Sequence, residues 1–162
     1  MMAFWGIVAA VENLDQQSGT LVRIWVKRAH RGPMDLRESG MLVAGAGLEG
    51  SADQGGRRQV TLIEAGRWKQ MMTELHADLD PSVRRANLLV QGIDLGDSRG
   101  KLIAIGPCVV RILGETRPCE RMEQALPGLR ASMSAPWNGG AYGEILAGGW
   151  IRVGDEVRWA EI

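Results

Sequence analysis

A chain of 162 residues fits one domain and is long enough to bury roughly two-thirds of its unfolded surface. Nineteen basic residues balance nineteen acidic ones, which excludes a polycation seeking nucleic acid and leaves any anion binding to a local cluster. Two cysteines make no disulfide framework and no Cys/His spacing marks structural zinc, so a reducing, cytoplasmic compartment is expected.

Twenty-two glycines against one Phe and one Tyr imply many tight turns and short elements, which suits a β-rich barrel better than a helical bundle. Met1 to Val11 is apolar but only about ten residues long, with no basic start and no cleavage signature, and is read as neither signal peptide nor membrane span. Residues 1–20 are taken as an extension of a domain spanning 21–162.

In chain order, Leu21 to Lys27 alternates apolar and polar residues and predicts a strand. Residues 28–57 carry Pro33 and glycines at 32, 40, 45, 47, 50, 55 and 56, and are read as one long irregular segment, functional or mobile. Gln59 to Ile63 predicts a second strand. It runs into a helix over Glu64 to Leu79, whose Trp68, Met71, Met72, Leu75 and Leu79 share a core-facing stripe. His76, near the end of that helix, is read as solvated or capping. Asp80-Pro81-Ser82 breaks the helix, and Arg84-Arg85-Ala86-Asn87 leads into a strand at Leu88 to Val90.

Two further strands are expected at Leu102 to Ile105 and Cys108 to Leu113, with Gly106-Pro107 between them and Cys108 in the core. A short helix over Glu120 to Leu126 stops at Pro127-Gly128, and Leu129 to Met133 adds another turn. Trp137 to Gly143 reads as a glycine-rich loop. Trp150 to Val153 and Glu156 to Trp159 read as a closing hairpin turned at Gly154-Asp155. Whether Trp5, Trp150 and Trp159 serve core or contact surface is left open by the pattern.

Cys119 is the most informative residue. Pro118 stops the strand before it, so the thiol sits at an element boundary and not in the core. Arg117 and Arg121 flank it, and nearby cations favour the thiolate, the form that attacks electrophiles or binds a metal.

Several pieces occur in order along the chain: Lys27-Arg28-Ala29-His30-Arg31-Gly32-Pro33-Met34, Gly47-Leu48-Glu49-Gly50, Gly56-Arg57-Arg58-Gln59-Val60-Thr61-Leu62, Arg85-x-Asn87, Thr116-Arg117-Pro118-Cys119, the Trp137 to Gly143 loop and Gly154-Asp155. Together they resemble the MOSC domain, the C-terminal module of molybdenum-cofactor sulfurases, in its small stand-alone bacterial branch. The resemblance runs from about Leu21 to Val157. It implies a mainly β, α+β fold: a twisted barrel with a few short helices. It also implies that Cys119 is the reactive centre, either a ligand to molybdenum in the molybdopterin cofactor or a carrier of sulfane sulfur, and that Arg85 and Asn87 line the cofactor pocket. One departure stands out. Many members follow the Gly-Leu-x-Gly piece with Asp, where this chain has Ser51-Ala52-Asp53.

A cofactor ending in phosphate needs local positive charge, which Arg57, Arg58, Arg84 and Arg85 supply, with Arg117 beside the thiol; of these, Arg84 is expected to be exposed. Gly55-Gly56 and Gly139-Gly140 offer main-chain donors close approach to an anion. By the same resemblance the substrates would be N-hydroxylated or related small molecules. Without a flavin, iron–sulfur or nicotinamide motif, electrons would come from an external reductase. The alternative is a sulfur carrier loaded by a pyridoxal-phosphate cysteine desulfurase. A cysteine hydrolase would need a histidine base, for which only His30 and His76 exist. A third possibility is a binding module in which Cys119 is incidental.

Overall fold

The structure is a computed structural model and describes residues 18–161. The apolar start of the chain and Trp5 lie outside the described residues.

The first described strand, β1 (Ser18–Lys27), begins three residues before the predicted one and is the longest among the described residues. Leu21, Ile24 and Val26 enter the main core, while Trp25 faces a separate cluster with Ile63, Ala86 and Leu89. Burial on both faces explains why the run is apolar at adjacent positions. Its neighbour changes along its length: β11 (Glu156–Ala160) at Ser18–Thr20, β6 (Leu88–Gln91) from Thr20 to Ile24, and β2 (Met34–Arg37) from Ile24 to Lys27.

Around the barrel the order is β11, β7 (Leu102–Ile105), β8 (Cys108–Glu115), β9 (Ala141–Ala147), β5 (Val60–Glu64), β6 and β1, and β1 closes on β11. Seven strands therefore form a closed barrel, with β2 hung on the outer end of β1. Closure removes the unpaired edges that an open sheet would present. Among the described strands only β5 and β6 run parallel, and the crossover between them contains a helix and a 3-10 turn at Pro81–Arg84. The predicted mainly β barrel with short helices is thus the observed fold, and Cys108 is fully buried in its core.

Not every expectation holds. Residues 28–57 are not one irregular segment. They contain β2, β3 (Ser39–Val43) and β4 (Gly47–Leu48): β2 alternates over only four residues, and β3 and β4 are short runs interrupted by glycine. Trp150 to Trp159 is not a hairpin either. The strand β10 (Gly149–Arg152) pairs with β3 in a three-stranded side sheet, whereas β11 pairs with β1 and β7. The cause lies in the turn: Leu21 N–H donates to the Asp155 carbonyl at 2.9 Å, and Gly154 N–H donates to the Leu21 carbonyl at 2.8 Å. The strand β1 thereby takes the place that β10 would occupy in a hairpin. Trp150 stands 56% exposed on the side sheet, and Trp159 packs partly buried against the core.

The helices α1 (Ala65–Glu74), α2 (Glu120–Ala125) and α3 (Leu129–Met133) share a second core of Trp68, Met71, Met72, Met122, Leu129 and Met133. Each such side chain contributes on the order of 1.5–3 kcal/mol. The Glu64 carboxylate caps α1 by accepting from Arg67 N–H at 2.8 Å. Helix α1 stops short of the predicted Leu79 because His76 turns left-handed (φ 52°). His76 and Ala77 N–H then close on the Thr73 and Met72 carbonyls in a Schellman motif. This helical layer holds α2, and with it Cys119, against the rim of the barrel.

Candidate functional site

A cleft of about 300 Å³ opens where the ends of β1, β5, β6 and β8 meet the helical layer. That volume is at the lower bound for small-molecule sites. Cys119 lies on its wall, and five cationic side chains (Lys27, Arg58, Arg84, Arg85 and Arg121) face a single carboxylate, Asp53. A chain with no net charge has therefore concentrated positive charge at one place.

Each wall has a definite anchor. Asn87 is buried at the start of β6, and its side chain is fully used by the protein. Its Oδ1 accepts from Thr61 N–H (3.1 Å) and Thr61 Oγ1 (3.2 Å), while its Nδ2 donates to Ser51 Oγ (3.2 Å) and the Trp25 carbonyl (3.5 Å). Ser51 Oγ also accepts from Lys27 N–H at 3.0 Å. Asn87 thus ties β1, β5 and the loop after β4 together.

Two residues earlier, Arg85 caps the 3-10 turn in the left-handed region (φ 64°), a conformation that costs a non-glycine residue on the order of 1 kcal/mol. The strained backbone puts Arg85 on the cleft wall beside Arg84. Arg85 Nη2 is buried and has no hydrogen-bond partner. Burial lowers its pKa, and the Arg121 charge adds to the effect.

Arg84 is half-buried, contrary to its expected exposure. Its Nε donates to the Gly139 carbonyl at 3.0 Å and its Nη2 to the Arg117 carbonyl at 3.3 Å. Burial, and secondarily the Arg58 charge, pull its pKa down to about 10, while the charge on Cys119 acts in the opposite sense. Arg84 and Cys119 line the same cleft.

Cys119 is exposed and occupies the N-cap position of α2, the boundary that Pro118 predicts. The chain leading to it is pinned: Thr116 N–H donates to the Gly140 carbonyl at 2.9 Å, and Thr116 Oγ1 donates to the Gly139 carbonyl. Buried Met122 packs beneath the same short helix.

The fold has counterparts in known proteins. The MOSC domain model matches residues 26–158. The chain belongs to the MOSC domain family. Among solved structures, the YUAD protein from Bacillus subtilis has a TM-score of 0.73 at 18% identity, covering 90% of this chain and 98% of that one. YiiM from Geobacillus stearothermophilus has 0.69 at 14%, covering 88% and 75%. YiiM from Escherichia coli has 0.66 at 14%, covering 88% and 70%. At such identities the likeness is one of fold. No curated protein matches the sequence.

Within this MOSC barrel the structure brings together Cys119, Arg58, Arg85 and Asn87 of the predicted residues. Arg57 and Arg117 are exposed and do not line the cleft. Arg117 turns back to Glu115, with Nη1 to Oε1 at 2.8 Å. Neither glycine pair lines the cleft. A side chain at Gly139 or Gly140 would meet the main-chain oxygen of Thr116 or Leu62, so these residues permit close packing of the loop on β8 and β5. Gly55 belongs to a tight turn in which its N–H and carbonyl exchange bonds with Arg58.

The sequence reading overlooked Lys27 and the wall role of Asp53. Asp53 Oδ2 accepts from Lys27 Nζ at 3.4 Å and lies 2.8 Å from His30 Nδ1. His30, and then Lys27, hold its carboxyl below the usual carboxylate range. His30 is thereby engaged by a carboxylate, and it is not among the residues lining the cleft beside the thiol. Among the described residues no group of three or more His, Cys, Asp or Glu side chains is placed to hold a metal ion.

Proposed function

We propose that this MOSC protein binds the molybdenum cofactor in the cleft, with Cys119 as the protein ligand to the metal. The observation that carries the reading is the pairing of one accessible thiol with a set of guanidiniums that form no ion pair with a carboxylate among the described residues. Thiolate is a soft ligand suited to molybdenum held already by pterin sulfurs. Arg58, Arg84 and Arg85 would hold the phosphate end. The buried, partnerless Arg85 Nη2 and the desolvated charge of Arg84 are what an anionic ligand would satisfy, so the residues present fit the group. Arg57 and Arg117, outside the cleft, would contribute only through the wider field.

When bound, the cofactor supplies two-electron oxygen-transfer chemistry. The residues of this chain bind and orient it: Asn87 and Thr61 keep the wall rigid, and Arg84 fixes the loops that carry Gly139 and Cys119. The substrate class is N-hydroxylated or related small molecules, and an external reductase supplies electrons. The test is molybdenum per chain in protein made by a cofactor-producing host, for wild type and Cys119→Ser. Near-stoichiometric metal that falls in the variant supports the reading. Absence of metal from both proteins removes it.

The exposure of Cys119 also favours a second reading, a sulfur carrier. The thiol would receive a persulfide from a partner cysteine desulfurase, which would bring its own pyridoxal phosphate. Incubation with such a desulfurase and cysteine, followed by intact mass, decides this reading.

A further inference from the structure

The charge in the cleft has a second consequence, independent of molybdenum. Arg58, Arg84, Arg85 and Arg121 form no ion pair with a carboxylate among the described residues, whereas arginines elsewhere do, such as Arg28 with Asp35 and Arg130 with Glu120. Arg58 instead lies over the Tyr142 ring, 5.5 Å from its centroid. Arg84 is oriented by two main-chain carbonyls, and Arg85 has a buried, partnerless nitrogen. Guanidinium forks so placed suit a tetrahedral oxyanion. The exposed thiol of Cys119 shares the wall with them.

We infer that Cys119 takes sulfane sulfur directly from a small oxyanion of the thiosulfate class, whose sulfonate oxygens are held by Arg58, Arg84 and Arg85. The Cys119 thiolate attacks the outer sulfur of the donor. A new S–S bond forms on Cys119, the S–S bond of the donor breaks, and sulfite departs with its electron pair. No outside oxidant or reductant is needed, because the sulfur moves as a neutral atom between two anions. In thiol–disulfide exchange the better leaving group departs faster, and sulfite held by guanidiniums is such a group. The inference rests on the cleft as an anion site and deepens the sulfur-carrier reading by naming a free donor.

The experiment uses the reduced, purified full chain and thiosulfate, with intact mass and released sulfite as readouts and metal content measured in parallel. The expected result is one added sulfur on Cys119 and one sulfite per chain, none of it in Cys119→Ser. Arg58→Gln slows the reaction by about tenfold, the loss of one charge-assisted contact, and inorganic phosphate competes. Arg58 is exposed, so this variant reads the site without depending on the bracing role of Arg84. Loading by a desulfurase with cysteine but not by thiosulfate overturns the inference, as does loading by neither. A rate unchanged in Arg58→Gln and indifferent to phosphate overturns the oxyanion site. Molybdenum content reports separately on the cofactor.

Discussion

Asn87 Nδ2 donates to Ser51 Oγ at 3.2 Å, which fastens the wall before β6 to the loop after β4. Ser51 stands where many MOSC proteins carry Asp, and its hydroxyl serves as a joint between Asn87 and the main chain of Lys27. Asn87→Ala removes this joint and strands the half-buried donors of Thr61. A loss of about 2–4 kcal/mol is expected, read as a lower urea midpoint at unchanged slope.

The loop over the thiol depends on a glycine. Gly140 has φ 102°, and a side chain there would strike the Leu62 carbonyl. Gly140→Ala should cost about 2–3 kcal/mol and loosen the chain at Thr116. Thermal unfolding measures the first effect. Faster alkylation of Cys119 in the folded protein measures the second.

Asp53 is the sole carboxylate in the lining of the cleft. Asp53→Asn removes the one charge that opposes an anion. Inorganic phosphate should then bind about two- to fivefold more tightly, the gain expected of an exposed charge pair. Isothermal titration at low salt checks it. An unchanged or weaker affinity would mean that Asp53 acts by holding His30 and Lys27 and not through its field.

Glu115 gives a pH dependence of known sign. The Arg117 guanidinium, and then Trp137 N–H at 2.7 Å, hold its carboxyl below the ordinary 4.5. The folded pKa is depressed, so the contribution is complete above the unfolded value and lost as pH falls through the folded one. Glu115→Gln should therefore be less stable than wild type at neutral pH, with the gap closing in acid. Urea midpoints across that range measure it.

The barrel and the thiol were legible because their signals are local. Long apolar runs such as Cys108–Glu115 declare strands, and Pro118 declares the break that exposes Cys119. The short strands β2, β3 and β4 were not legible, since Met34–Arg37 alternates over four residues only, between a Gly-Pro pair and Glu38, and β3 and β4 each contain a glycine. The partner of β10 is decided by main-chain bonds between Leu21 and the turn at Gly154-Asp155, far apart in sequence. Arg84 was misread because adjacent residues ordinarily point apart. The left-handed Arg85 brings both arginines to one cleft, and such a backbone angle leaves no mark in a list of residue types.

The placement of the two cysteines gives the molecule a built-in folding clock. Cys108 is sealed inside the barrel, where burial also raises its pKa, while Cys119 stands open to solvent. A thiol reagent should therefore count one site per native chain and two once the barrel opens. The rate at which the second site appears times that opening in an unmodified sequence, with no engineered probe.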